Sequence, residues 1–286
     1  MLGSRSSNLQ NEPKYFNNLR VTDWDNLDLL NSACKNVNII VHSAGMNASD
    51  CVKNPTEAFK INAVATGNLV KAAIRNKVQK IIYFSTAHVY KERFYGDINE
   101  ATSISNLHPY ATSHVAGESI LRWFHKNNEI DVIVLRMSNA YGYPVNNNKS
   151  CWNLFVNNLC KQVVETGTMV VHSDPSQQRN FLPVSSVCNV VEHFICSGNR
   201  QNIPVYNLGS LTTNTLLEMA TIIQSRCEVV LNFKPIIKCS SFNDIVQRKN
   251  LEFSIDKLLA QGLTFDSNNF EEIDNLLLHC NNYFRK

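Results

Sequence analysis

Lys80-Ile81-Ile82-Tyr83-Phe84-Ser85 is the stretch on which the fold turns. It is short, almost wholly apolar and rich in β-branched and aromatic residues, without the polar alternation of a half-exposed strand. That texture marks a strand covered on both faces. Working outward, Val37–His42 (Val-Asn-Ile-Ile-Val-His) and Ile130–Arg136 (Ile-Asp-Val-Ile-Val-Leu-Arg) have the same character. Between them, Asn54–Lys77 carries Phe59, Val64, Leu69 and Ala72-Ala73 at helical spacing, and Tyr110–Asn127 reads as a second helix. Strand, helix, strand, helix, strand at this rhythm predicts right-handed crossovers and a mostly parallel sheet. Ligands of open α/β sheets gather at the carboxyl ends of the strands. The residues singled out in this way are Ser43-Ala44-Gly45, Ser85-Thr86 and Met137-Ser138-Asn139.

Beyond about residue 145 the texture changes. Asn and Ser become dense, strands shorten, and Pro175, Pro183 and Pro204 punctuate the loops. Leu216–Gln224 and Phe270–Phe284 read as helices. The expected division is a domain over 1–145 and a smaller mixed α/β lobe over 146–286, partly interleaved with the first.

Composition narrows the function classes. The chain has 286 residues, 44% hydrophobic and 18% charged, with a net charge of +3. It has no Lys/Arg run of the kind that holds nucleic acid. Residues 1–20 contain no apolar signal core, and no window approaches 18 uninterrupted apolar residues, so no membrane span is expected. The nine cysteines form no Cys-x-x-Cys and no paired Cys/His spacing, which argues against a zinc site. Their odd number and apolar surroundings suit free thiols in a reducing, cytoplasmic setting.

The chemistry concentrates in Tyr110-Ala111-Thr112-Ser113-His114. Residues four apart on a helix share one face, so a phenol and an imidazole can act on one ligand there. Other stretches follow one another along the chain in a recognisable order: Val41-His42-Ser43-Ala44-Gly45; Asn54-Pro55, Asn62 and Thr66-Gly67-Asn68-Leu69; Tyr83-Phe84-Ser85-Thr86-Ala87-His88-Val89-Tyr90; His108-Pro109-Tyr110; Leu135-Arg136 with Asn139-Ala140-Tyr141-Gly142; Arg179-Asn180-Phe181; and Tyr206-Asn207-Leu208-Gly209. Over about residues 19–265 this set resembles the extended short-chain dehydrogenase/reductases of the nucleotide-sugar epimerase/dehydratase group, typified by UDP-galactose 4-epimerase.

The resemblance implies a Rossmann-like doubly wound parallel sheet, NAD or NADP as cofactor, and a nucleotide-sugar substrate. It casts Tyr110 as the base that takes a hydroxyl proton while a sugar carbon gives up hydride, with Thr86, 24 residues earlier, orienting the sugar. An isolated phenol has a pKa of about 10, and a fixed cation beside it brings that value down. Relatives place a lysine four residues after the tyrosine; here that position is His114, with a reference pKa of about 6.5. The resemblance further assigns Ser43, Ala44, Gly45, Asn62, Ser138 and Asp23 to the cofactor, together with Tyr110 and His114. Asp23 also reads as an N-cap for the helix beginning near Asn26. Thr86, Asn139 and Arg179 fall to the substrate, the guanidinium suiting a diphosphate. The resemblance also implies a homodimer through a four-helix interface made by about 54–77 and 110–127.

Two departures from the pattern qualify these assignments. One is His114. The other is the amino-terminal region, where Met1-Leu2-Gly3-Ser4-Arg5-Ser6-Ser7 resembles the end of the group's second strand, so the sheet is expected to be incomplete at this end. No Gly-x-x-Gly-x-x-Gly phosphate loop occurs in the sequence. Arg5 is the residue that would meet a 2′-phosphate of NADP. Without a first strand, Val37–His42 would end the sheet with an open apolar edge, unless the strand near Leu19–Val21 closes it, another chain does, or the sequence is a fragment. Asn180 and Ser185-Ser186 stand where the group carries acids. Beside the enzymatic reading stand two others: a catalytically inactive nucleotide-sugar-binding or regulatory relative, and a ketoreductase acting on another substrate.

Overall fold

The computed structural model describes residues 2–4, 19–92, 94–144, 149–198, 205–240, 250–266 and 270–285. Arg5 lies outside them. Two compact units emerge: one of residues 1–92, 102–137 and 191–206, the other of 93–101, 138–190 and 207–286.

In the first unit the elements follow one another as β1 (Leu2–Ser4), β2 (Leu19–Val21), α1 (Leu27–Cys34), β3 (Ile39–His42), α2 (Ala48–Lys53), α3 (Pro55–Phe59), a π-helical turn (Lys60–Val64), α4 (Ala65–Arg75), β4 (Lys80–Thr86) and, after an intervening β5 (Gly96–Ile98) that belongs to the second unit, α5 (Pro109–Lys126) and β6 (Asp131–Met137). The expected helix over Asn54–Lys77 is therefore a run of α3, π turn and α4. A π turn adds a residue to the helical ladder and is common where a helix serves a site; Asn62 lies in this one. β4 pairs in parallel with β3 on one side and β6 on the other.

Ile81, Ile82, Val132, Ile133, Val134 and Leu135 are buried, as expected of strands with both faces covered. Each such side chain contributes about 1.5–3 kcal/mol on burial. Lys80 is one of the polar residues buried among them. Its ammonium donates to the carbonyls of Phe194 (2.7 Å) and Ser197 (2.6 Å) at the end of a helix, where backbone acceptors are otherwise unpaired.

The amino-terminal end corrects one expectation. β2 does not close the open edge: it pairs in parallel with β1 in a separate two-stranded sheet, and among the described residues β3 ends the four-stranded sheet. Val41 on that strand remains 40% exposed.

The second unit continues with β7 (Asn139–Tyr141), α6 (Phe155–Thr166), β8 (Thr168–Val171), β9 (Gln178–Pro183), α7 (Val184–Cys196), β10 (Val205–Leu208), β11 (Thr213–Thr215), α8 (Leu216–Leu231), β12 (Ile236–Cys239), β13 (Leu251–Phe253), α9 (Asp256–Leu259) and α10 (Glu271–Phe284); α7 and β10 run across the boundary between the units. β10 flanks β6 to complete the four-stranded sheet. α8 runs seven residues past the expected end at Gln224, opened by a capping box between Thr215 and Glu218. α6, α8 and α10 bury Leu159, Val163, Ile223, Leu276 and Leu277 in one core. Arg226 and Asp274 join α8 to α10 by two hydrogen bonds, of 2.7 and 2.5 Å.

Candidate functional site

In the first unit, the strand ends and the start of α5 form one cluster. Tyr110 lies in the first turn of α5, where Pro109 supplies a ready-made helical φ. The Tyr110 amide donates to His108 Nδ1 at 3.1 Å. Thr86 closes β4 and accepts from the His88 amide at 3.1 Å, and its side chain acts on the Tyr110 phenol by favouring the ionised form. Four residues along α5, the His114 ring stands edge-on to Tyr110 with centroids 4.7 Å apart. His114 Nδ1 is 3.0 Å from the Tyr83 hydroxyl.

The loop after β3 meets this cluster. A Cβ on Gly45 would come within 3.3 Å of Asn62 Oδ1 and 3.7 Å of His114 Cε1, so the loop backbone lies close against both side chains. Asn62 is buried on the π turn. Its Oδ1 accepts from the Met46 amide at 2.8 Å, and its Nδ2 donates to Ser113 Oγ at 2.9 Å. One amide side chain thus ties the exposed Ser43-Ala44-Gly45 loop to α5. Asp23 is exposed and accepts from the Asp25 amide at 3.0 Å. The N-cap of α1 is Asn26, which corrects the capping alternative for Asp23.

The electrostatics of the cluster are those of a dry pocket. Burial pushes the Tyr110 phenol above its ordinary value, against a smaller opposing effect of Thr86. Burial lowers His114 to about 4, helped by nearby His42. At neutral pH the imidazole is therefore uncharged and offers the phenol no cation.

In the second unit, Ser138 Oγ donates to Asn180 Oδ1 at 2.8 Å, and Asn139 Nδ2 donates to the Asn180 carbonyl at 3.1 Å. Arg179 lines a pocket of about 210 Å³ with Phe155, Asn158, His172 and Ser173. Its guanidinium donates to Gln177 Oε1 at 3.2 Å and stands 6.0 Å from the Phe155 ring centre. No carboxylate pairs with it among the described residues. Asn180, in the position of the group's acid, is used internally: its Nδ2 donates to the Ser210 and Thr212 carbonyls.

The family model described as NAD dependent epimerase/dehydratase family matches residues 2–209. The chain belongs to that family. Among curated members, a dTDP-glucose 4,6-dehydratase of Streptomyces niveus is 28% identical over 201 residues, covering 70% of this chain and 58% of the relative. A UDP-glucose 4-epimerase of Mycoplasma genitalium is 30% identical over 203 residues, covering 64% and 59%. The chain thus spans less than two thirds of the length of either. Two solved structures share the fold. The UDP-N-acetylglucosamine 4-epimerase of Methanobrevibacter ruminantium M1, in complex with UDP-N-acetylmuramic acid, has a TM-score of 0.78 at 22% identity, covering 94% of this chain and 84% of that one. RMD from Pseudomonas aeruginosa, complexed with NADPH, has a TM-score of 0.76 at 18% identity, covering 94% and 92%.

Sequence reasoning missed the buried scaffold beneath this member's α5. Glu118 pairs with Arg136 through Oε2–Nη2 at 2.7 Å and Oε1–Nε at 3.0 Å; Arg136 Nη1 donates to Tyr90 Oη at 3.0 Å, and Ser85 donates to Glu118. The signal was present in charged residues that interrupt apolar runs, which stay buried only when paired. Tyr83 was also missed, because in an apolar strand it reads as core.

Proposed function

We propose that the protein binds NAD(P) and a nucleotide sugar, and that Thr86 and Tyr110 handle the proton of a sugar hydroxyl. The observation that carries this is the convergence of Thr86, Tyr110, His114 and the Asn62-braced Gly45 loop in one unit. The bare backbone at Gly45 and the donors around it suit the nicotinamide half of the cofactor, which would supply the hydride acceptor when bound. Ser43, Ala44, Gly45, Asn62, His114, Ser138 and Asp23 are the residues proposed to hold it. Tyr110 is kept protonated by burial, so it holds its proton tightly near neutrality and becomes available as a base only as the pH rises. Thr86, whose side chain favours the ionised phenol, is the hydroxyl proposed to orient the sugar beside it. On the substrate side, Arg179, desolvated and without an acid partner among the described residues, suits a diphosphate, and Asn139 lies beside Asn180. Catalysis in the cytoplasm by a homodimer completes the proposal; apolar Phe59, Val64 and Trp123 stand exposed on the paired α3–α4 and α5 segments.

Isothermal titration with NAD, NADPH and UDP- or dTDP-hexoses tests the reading. Micromolar to millimolar binding of one cofactor and one nucleotide sugar is expected; heats from neither class would refute it. The neutral His114 favours a second reading, a binding protein with little turnover. His114→Lys separates the two: a gain in turnover marks an impaired enzyme, whereas unchanged binding without turnover marks the binding protein.

A further inference from the structure

Tyr83 lies in β4 with its ring fully buried. Its hydroxyl reaches toward α5 through a gap that exists because residue 117 is glycine. A Cβ on Gly117 would fall 2.7 Å from the Tyr83 oxygen and 2.6 Å from the Asn62 carbonyl. Glycine inside a helix forgoes about 1 kcal/mol relative to alanine, and here that position admits a phenol. The hydroxyl then has two acceptors within reach: His114 Nδ1 at 3.0 Å and the Asn62 carbonyl at 3.4 Å. The carbonyl already receives the Thr66 hydroxyl at 2.9 Å. The ring nitrogen is nearer and is the stronger acceptor. A proton donated to Nδ1 leaves the neutral ring's own proton on Nε2, the nitrogen that lies 3.9 Å from where a Gly45 Cβ would be.

We infer that Tyr83 is a positioning residue that holds His114 as the Nε2–H tautomer, so that the ring presents a neutral hydrogen-bond donor beside Gly45 where a lysine would present a charge. The groups facing the ring agree with this. Tyr110 on α5 stands edge-on to it, Tyr83 on β4 occupies Nδ1, and His42 on β3 lies beyond Tyr83 with ring centres 5.5 Å apart. His42 Nε2 is 3.0 Å from Thr66 Oγ1, whose own proton goes to the Asn62 carbonyl; His42 therefore donates from Nε2. Cys51 and Glu118 are the remaining ionisable groups felt by Tyr110 and Tyr83. None of these places a cation at His114. The ligand atom that an Nε2–H suits is a hydroxyl oxygen, as on a ribose diol; this last step rests on the proposed cofactor binding, and the tautomer does not.

The test is nitrogen NMR on the full chain labelled with 15N-histidine, with His114 assigned by the signal lost in His114→Gln. At pH 7 the wild type should show a pyridine-type Nδ1 and a pyrrole-type Nε2 for His114. Tyr83→Phe, which removes one oxygen, should move both nitrogens toward averaged shifts and weaken cofactor binding about three- to tenfold, the loss of one modest hydrogen bond. A pyrrole-type Nδ1 in the wild type, or His114 shifts unchanged in Tyr83→Phe, overturns the inference. Should Tyr83→Phe fail to fold, the wild-type spectrum still decides the tautomer. The spectra need no ligand, so a wild type that binds no NAD(P) removes the cofactor from the proposed function while the nitrogen shifts still decide what Tyr83 does.

Discussion

At the scale of single residues, chemistry turns on one exchange, an imidazole where relatives of the group carry an ammonium. His114 is uncharged at working pH and Tyr110 is held above its ordinary value, so the phenolate that a base requires is scarce near neutrality. Turnover should climb with pH through the alkaline range. His114→Lys should raise it about tenfold for each pH unit by which the new cation lowers the phenol; pH–rate profiles of the two proteins measure this. Tyr110→Phe should cut turnover about a hundredfold or more and leave nucleotide-sugar binding within a few-fold, as single-turnover kinetics and titration would show.

The same histidines make stability acid-sensitive. His42 and His114 each fall from 6.5 to about 4 in the fold, so the unfolded chain takes up protons first as pH drops. Their contribution is whole above about pH 6.5 and is lost progressively toward pH 4, by about 3 kcal/mol each at about 1.4 kcal/mol per pH unit. Urea midpoints between pH 7 and 4.5 should fall accordingly, and His42→Gln should flatten the slope.

At the scale of elements, α5 matters most because it carries Tyr110 and His114 on one face. Its anchor is the buried Glu118–Arg136 pair. Removing one member strands the other charge in a dry interior, which typically costs about 3–5 kcal/mol. Glu118→Gln or Arg136→Met should lower the unfolding free energy by that order, whereas the joint replacement Glu118→Leu/Arg136→Met should lose much less. Chemical denaturation of the three variants checks this. The strands and helices themselves were legible. Short, mostly apolar β-branched runs marked β4 and β6, and Pro109 marked the start of α5. The π turn was not legible, since its residues Lys60-Ile61-Asn62-Ala63-Val64 keep an ordinary helical pattern. What distinguishes them is a ladder shift that lets Asn62 brace the Gly45 loop.

At the scale of the whole molecule, exposed Val64 (54%) and Trp123 (58%) sit on neighbouring helical segments. If these segments pair with those of a second copy, the wild type should sediment as a dimer, and Trp123→Glu should shift it to monomer with little loss of monomer stability. A wild type that stays monomeric at tens of micromolar removes the dimer from the proposed function.

The sequence by itself determined the family, the parallel sheet and the positions of Thr86, Tyr110 and His114, because period, turn chemistry and motif order are local properties of the chain. Only the tertiary structure decided what those residues can do. Desolvation, the hydrogen bond between Tyr83 and His114 and the pairing of Glu118 with Arg136 depend on side chains brought together from separate strands and helices. The structure also decided that Leu19–Val21 pairs with Leu2–Ser4 and leaves β3 at the sheet edge. A short apolar strand encodes its own extension; which neighbour it adopts is set by the packing around it.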